Sequence, residues 1–284
     1  MAARFSRDEI LSRLKKKIDN GEAIIAAGAG TGISAKCEER GGVDLIVVYN
    51  SGYFRMSGLP SVVGMLPYGD ANGIVMHMGE RLILPVVKDT PVIAGVNGTD
   101  PTRNIKLFLK KIKDTGFAGV INFPTVAVFD GNFRRKIEFL GLSYAREIEM
   151  LKDAKEYDLF TMAYVFTPEE ATLAGNAGID VVIAHMGTTI GGSVGVTENL
   201  SVTMDTAVSR IKTIFHAVRD TGSEAILMIH GGPLLTVNDV ALVFKKTGAS
   251  GFVGASSMER VPVEDAIERT VRNFCNLKIE TDPA

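Results

Sequence analysis

Gly178-Ile179-Asp180-Val181-Val182-Ile183-Ala184-His185 packs a glycine turn, an acid, an apolar run and a terminal imidazole into one short stretch. An apolar run of strand length with no polar alternation predicts a strand buried on both faces, as in a parallel sheet. Gly42-Val43-Asp44-Leu45-Ile46-Val47 opens in the same way. Working outward, runs of this kind occupy residues 23–27, 44–49, 91–96, 119–123, 159–165, 180–185, 225–230 and 251–255. Segments with helical spacing or helix caps lie between them. Strand–helix alternation predicts an α/β fold, and eight units predict a closed (β/α)8 TIM barrel, with residues 1–284 as a single barrel domain. The two echoing segments open the second and sixth strands, so their aspartates belong to the N-terminal face, where a stabilising role is expected.

Capping chemistry marks the helix starts. Ser6-Arg7-Asp8-Glu9 reads as a capping box, and Gly21 ends a helix expected to cover the N-terminal mouth of the barrel. Thr167-Pro168-Glu169-Glu170 repeats the device with proline at the first helical position, while Asp100-Pro101 and Thr236-Val237-Asn238-Asp239 are further N-cap candidates. The long segments 50–70, 124–140 and 186–204 all follow strands, so they gather on the rim that holds ligands in such barrels.

Apolar residues make up 46% of the 284 and charged residues 23%, with a formal charge of -2 and both signs interspersed. That pattern offers no electrostatic footprint for nucleic acid or an anionic membrane, and no apolar run reaches the roughly 18 residues of a membrane span. The two cysteines, Cys37 and Cys275, lie far apart, and the start MAARFSRDEI lacks an apolar signal segment. A reduced, cytoplasmic protein without a cysteine-based metal site is expected.

Strand seven ends His230-Gly231-Gly232-Pro233, and strand eight runs into Gly254-Ala255-Ser256-Ser257. Backbone N–H groups at Gly231 and Gly232 and the hydroxyls of Ser256 and Ser257 form a candidate cup for a phosphate or carboxylate. Gly28-Ala29-Gly30-Thr31-Gly32 follows strand one, but its spacing is G-x-G-x-G and strand two ends Tyr49-Asn50 without an acid. No nucleotide cofactor is expected; Gly28 and Gly30 either approach substrate oxygens or turn the chain. His185 and His230 end neighbouring strands, where two imidazoles can move protons or bind a divalent metal. Asn50, Asn97 and Asn122 end strands two, three and four and supply uncharged donors and acceptors. Arg55 offers a bidentate grip on an anion. Asp100, Glu198 and Glu259 are weaker candidates, and no lysine ends a strand to serve as a Schiff-base nucleophile.

Residues 26–36 and 44–52, together with Asn122-Phe123-Pro124-Thr125-Val126, Ala184-His185-Met186-Gly187 and His230-Gly231-Gly232-Pro233, resemble the phosphoenolpyruvate hydrolase-like family of TIM barrels over nearly the whole chain. The resemblance implies hydrolysis of a small phosphorylated or phosphonylated keto or enol acid, of phosphonopyruvate or phosphoenolpyruvate type. It also implies Mg2+ or another divalent metal and a homo-oligomer, for which residues 261–274 supply an amphipathic interface helix. Related barrels carry acidic metal ligands where asparagines stand here. Two other readings stay open: a non-catalytic small-molecule sensor or interaction scaffold, and a metal-dependent lyase or isomerase of pyruvate-like substrates.

Overall fold

The structure, a computed structural model, describes residues 5–279. Helix α1 (Arg7–Asp19) precedes strand β1 (Ile24–Gly28), followed by α2 (Gly32–Arg40), β2 (Leu45–Val48), α3 (Asn50–Met56), α4 (Ala71–Met78) and β3 (Val92–Val96). Then come α5 (Ile105–Thr115), β4 (Gly119–Asn122), α6 (Gly131–Phe139), α7 (Tyr144–Lys155), β5 (Phe160–Val165) and α8 (Pro168–Asn176). The chain finishes with β6 (Val181–His185), α9 (Met204–Asp220), β7 (Ile226–His230), α10 (Val237–Thr247), β8 (Gly251–Gly254) and α11 (Arg260–Cys275). The strands close into a parallel barrel in sequence order, with β8 pairing β1 from Ile24 opposite Gly251 to Ala27 opposite Gly254. No helix among the described residues is long and apolar enough to cross a membrane.

Two packed layers explain why the strand runs are continuously apolar. One set of side chains, including Ile24, Leu45, Ile93, Phe160, Val181 and Met228, fills the barrel interior. The other, including Ile46, Ala94, Val120, Ala163, Val182 and Ile229, packs outward beneath the helices. Both faces of each strand therefore leave water, and period-two alternation is lost.

Helix α1 closes the bottom. Its capping box forms at Ser6 and Glu9, and Ile10 and Leu14 are buried with Phe5 against the interior set. Burying two such side chains contributes about 2 kcal/mol each. The echoing aspartates clamp this helix at both ends. Lys17 donates to Asp44 at 2.9 Å, and Arg7 grips Asp180 through Nη2 at 2.6 Å and Nε at 3.0 Å. Each aspartate also accepts a strand N–H, from Ile25 and Thr161 respectively. The acids at 44 and 180 thus do structural work at the N-terminal face.

Asp100 departs from its expected capping role. Its carboxylate takes the Thr102 N–H, the Asn72 amide and Arg103, while Asn104 caps α5 through the Leu107 N–H. The stable turn after Pro101 delays the helix by one short loop. At the other end of the chain, Arg260 is the only buried residue of α11. Val263, Ile267, Val271 and Phe274 form an exposed apolar stripe along it.

Candidate functional site

A cavity of about 540 Å³ opens at the C-terminal end of the barrel. Its floor comes from strand ends: Tyr49, Phe123, Tyr164, His185, His230 and Ser256. All three long post-strand segments contribute to its walls, through Met65 and Leu66 of the first, Val128 of the second, and Thr188, Thr189 and Val202 of the third. Arg134, in the basic run 134–136, does not line it; that side chain is held by Glu138 at 2.7 Å and Glu170 at 3.0 Å. Arg210, from the second turn of α9, completes the wall.

The two imidazoles sit opposite each other in the β6–β7 register, with ring centroids 4.6 Å apart and planes at 71°. Phe166 stacks on His185 at 4.4 Å, and the Tyr164 ring lies 4.8 Å from His185 and 5.1 Å from His230. Backbone partners fix different tautomers. His230 Nδ1 lies 2.6 Å from the Val253 carbonyl oxygen, which only accepts, so Nδ1 carries the proton and Nε2 a lone pair. At His185 the Gly187 N–H donates to Nδ1 at 3.0 Å, so Nε2 carries the proton. One ring offers an acceptor and the other a donor. Burial pushes the His230 pKa down to about 4, against the opposing pull of its carbonyl partner. Burial first, then neighbouring His230 and Arg210, hold His185 well below the ordinary histidine range. Both rings are neutral at pH 7.

Arg55 reaches the cavity from α3 but is already engaged. Its Nε and Nη2 donate to Glu259 Oε2 at 2.9 and 2.6 Å, and Nη2 also donates to the Gly28 carbonyl. Glu259 Oε1 accepts the Gly30 N–H at 2.6 Å. The pair is almost wholly excluded from water, at 1% and 0% side-chain exposure, so each charge depends on the other. Gly30 is glycine because a Cβ there would overlap the Gly52 carbonyl oxygen of α3. The loop at 28–32 therefore brings helix and strand together rather than facing the cavity. Glu38 lies behind this pair with neither carboxylate oxygen hydrogen-bonded, and burial followed by repulsion from Glu259 pushes its pKa up to about 8.

Of the residues expected at the site, Arg55, His185, His230 and Ser256 line the cavity; Gly28, Gly30, Asn50, Asn97, Asn122, Gly231, Gly232 and Ser257 do not. The asparagines make contacts within the fold, although Asn50 Oδ1 is buried without a partner. Asn50 donates to the Gly64 carbonyl, and the Asn97 side chain accepts from Thr99. Asn122 joins Glu147 to the Tyr164 backbone. At Gly231, φ is +75°, and a Cβ would overlap the Gly187 carbonyl oxygen; the Gly232 N–H donates to that same oxygen. The glycine pair locks the β6 and β7 loops together. Tyr49, Tyr164, Phe166 and Arg210 were missed: the tyrosines and the phenylalanine sit inside or beside apolar runs and read as core, and Arg210 reads as a solvated helix residue. Among the described residues, no group of three or more His, Cys, Asp and Glu could hold a metal ion.

Comparison with known proteins agrees with this architecture. Two relatives from Solanum lycopersicum, the ToMV susceptible protein tm-1(GCR26) and the ToMV resistance protein Tm-1(GCR237), are each 49% identical, over 272 and 275 residues covering 95% and 96% of this chain. The chain spans 36% of the length of either relative. Among solved structures, phosphoenolpyruvate phosphomutase from Streptomyces platensis subsp. rosaceus matches with a TM-score of 0.62 at 16% identity, over 93% of this chain and 87% of that one. Phosphonopyruvate hydrolase in complex with oxalate and Mg2+ matches with a TM-score of 0.57 at 17% identity, over 93% and 88%. These likenesses show a shared fold, the closed parallel eight-stranded barrel. The family model described as phosphoenolpyruvate hydrolase-like matches residues 9–277, and the chain belongs to that family.

Proposed function

We propose that the chain hydrolyses a small keto or enol acid in the cavity at the C-terminal end of the barrel. The observation that carries this reading is the pair of neutral imidazoles with opposite tautomers. His230 Nε2 is the acceptor available to take a proton from water, and His185 Nε2–H is the donor available to a carbonyl oxygen that gains negative charge. A base whose pKa lies near 4 is weak but wholly unprotonated at neutral pH. Negative charge developing beside it raises its basicity as the reaction proceeds. A neutral imidazole donor is likewise suited to an enolate or alkoxide, because it does not surrender its proton beforehand. Ser256 supplies a further hydroxyl to the bound acid. Phosphoenolpyruvate, from the family's description, and phosphonopyruvate, from the structurally similar hydrolase, are substrates to be tried beside oxaloacetate.

Mg2+ accompanies phosphonopyruvate hydrolase in its complex with oxalate. Mg2+ prefers oxygen ligands, usually including one or two carboxylates. The residues lining this cavity include no carboxylate, and Glu259 behind it is committed to Arg55 and Gly30. Asp100 is likewise committed to Asn72, Thr102 and Arg103. This donor set does not fit Mg2+, and the proton transfers above belong to the side chains alone.

A homo-oligomer forms part of the proposal, because the apolar stripe of α11 has no cover within the described chain. A second reading, a ligand-sensing module without turnover, is favoured by one observation. The relatives are named for virus susceptibility and resistance, and this chain matches only part of each.

Thermal shift and product release with phosphonopyruvate, phosphoenolpyruvate and oxaloacetate, with and without Mg2+, separate the readings. Hydrolysis of at least one acid, lost by at least 100-fold in His230→Gln with the fold intact, is expected if His230 is the base. Stabilisation by a ligand without product formation would replace the hydrolase with the sensor.

A further inference from the structure

Of the two arginines that line the cavity, only Arg210 lacks an ionic partner among the described residues. Arg55 is neutralised by Glu259. Both histidines are held neutral by burial. Arg210 lines the cavity with no carboxylate within salt-bridge distance among the described residues; its guanidinium makes one long hydrogen bond, from Nη2 to the Phe166 carbonyl at 3.4 Å. Other arginines near this rim are committed, Arg103 to Asp70 and Asp100, Arg134 to Glu138 and Glu170, and Arg260 to Glu264. Arg55, Arg210 and Glu259 sum to a single positive charge, and Glu38 behind them, its pKa pushed by burial up to about 8, is mainly neutral at pH 7. A ligand enclosed here is matched when it carries one negative charge, since each further buried anion would lack a counter-charge.

The rest of the wall carries no charge and mixes apolar side chains with hydroxyls such as those of Ser51, Thr188 and Ser256. Met65, Leu66, Phe123, Val128, Phe166 and Val202 face the same space. A carboxylate on Arg210 therefore leaves the remainder of the ligand beside apolar side chains and neutral hydroxyls, where a phosphoryl or phosphonyl dianion would find no second counter-charge.

We infer that the cavity selects a singly charged 2-oxo acid with an apolar acyl substituent, that Arg210 binds its carboxylate, and that the bond hydrolysed is carbon–carbon. This rests on the hydrolase reading and narrows its substrate class. A 2,4-dioxo acid meets the description. Water gives a proton to His230 Nε2 while its oxygen adds to the distal carbonyl carbon, whose oxygen takes the hydrogen bond from His185 Nε2. The bond between that carbon and the methylene then breaks. Its electron pair passes into the enolate of the 2-oxo acid, and the proton on His230 moves to the methylene carbon. One dioxo acid and one water give one carboxylic acid and one 2-oxo acid, with no oxidant, reductant or further reactant.

The test is steady-state kinetics of the full chain on acetylpyruvate and its longer acyl homologues, beside phosphonopyruvate, phosphoenolpyruvate and oxaloacetate. Arg210→Met and Arg210→Lys are assayed in parallel, with their folds checked by thermal midpoint. Cleavage of the acyl acids is expected, with KM falling as the acyl chain lengthens. Arg210→Met should raise KM about 100-fold while kcat changes far less, and Arg210→Lys should lie between, as loss of charge-assisted hydrogen bonds to a carboxylate predicts. An unchanged KM in folded Arg210→Met, or preferential cleavage of phosphonopyruvate, would overturn the inference and leave the hydrolase reading standing. If no acid of either class is bound or cleaved, both fall together.

Discussion

The neutral state of His230 comes from removing its ring from water, which disfavours the imidazolium more than the Val253 carbonyl favours it. Because the folded pKa lies near 4 and the ordinary value is 6.5, the sign of the pH effect is fixed. The unfolded chain binds the proton first as pH falls, so this group's stabilisation is complete above about 6.5 and is lost toward about 4. Its neutral form, the active base in the proposal, survives to lower pH than that, toward about 4. A pH–rate profile should therefore stay level from about pH 8 to about 5 and fall only toward 4, whereas the thermal midpoint should begin to decline already below about 6.5. An activity that halves near 6.5 would show that the base is an ordinary exposed histidine or another residue. At this scale the sequence was partly legible. His185 and His230 were conspicuous because a polar ring ended each apolar run. Asn122 was equally conspicuous, but its partners Glu147 and Tyr164 are 25 and 42 residues away and only folding brings them near.

Elements divide into those whose sequence states their partner and those whose sequence does not. For α1, the capping box, the buried Ile10 and Leu14 and the paired aspartates at the openings of β2 and β6 all describe one helix plugging the barrel mouth. The glycine loops after β1 and β7 were legible as tight turns but not as packing devices, since the groups that demand glycine are the carbonyls of Gly52 and Gly187 in other elements. For α11 the amphipathic pattern is plain, yet its apolar face stays exposed in the single chain: Ile267 is 59% and Phe274 70% exposed. In the proposal a second copy of the chain covers this stripe. Sedimentation or light scattering should find a homo-oligomer that dissociates in the Ile267→Glu, Phe274→Glu double variant, with far-UV circular dichroism nearly unchanged because neither side chain supports the barrel. A monomeric parent would show that α11 packs elsewhere.

Across the whole molecule, eight apolar runs matched eight strands to within a residue or two, because burial on both faces is a local property that the chain writes out directly. The cavity was less legible, since it depends on three loops from different parts of the chain and on which charges cancel. Arg55 became a buried ion pair only through Glu259, 204 residues later, and Arg210 became significant only because the other charges were matched. Barrel closure places His185 and His230 at one cavity as neutral rings with opposite tautomers, and in the proposal both face the same ligand. Nitrogen-15 NMR of histidine-labelled protein tests this most directly. His230 should be protonated on Nδ1 and His185 on Nε2 from about pH 8 to about 5, and acetylpyruvate should shift both Nε2 signals together at one saturating concentration. A shared tautomer, a ring that becomes charged near 6.5, or a bound acid that moves neither Nε2 signal would contradict this arrangement.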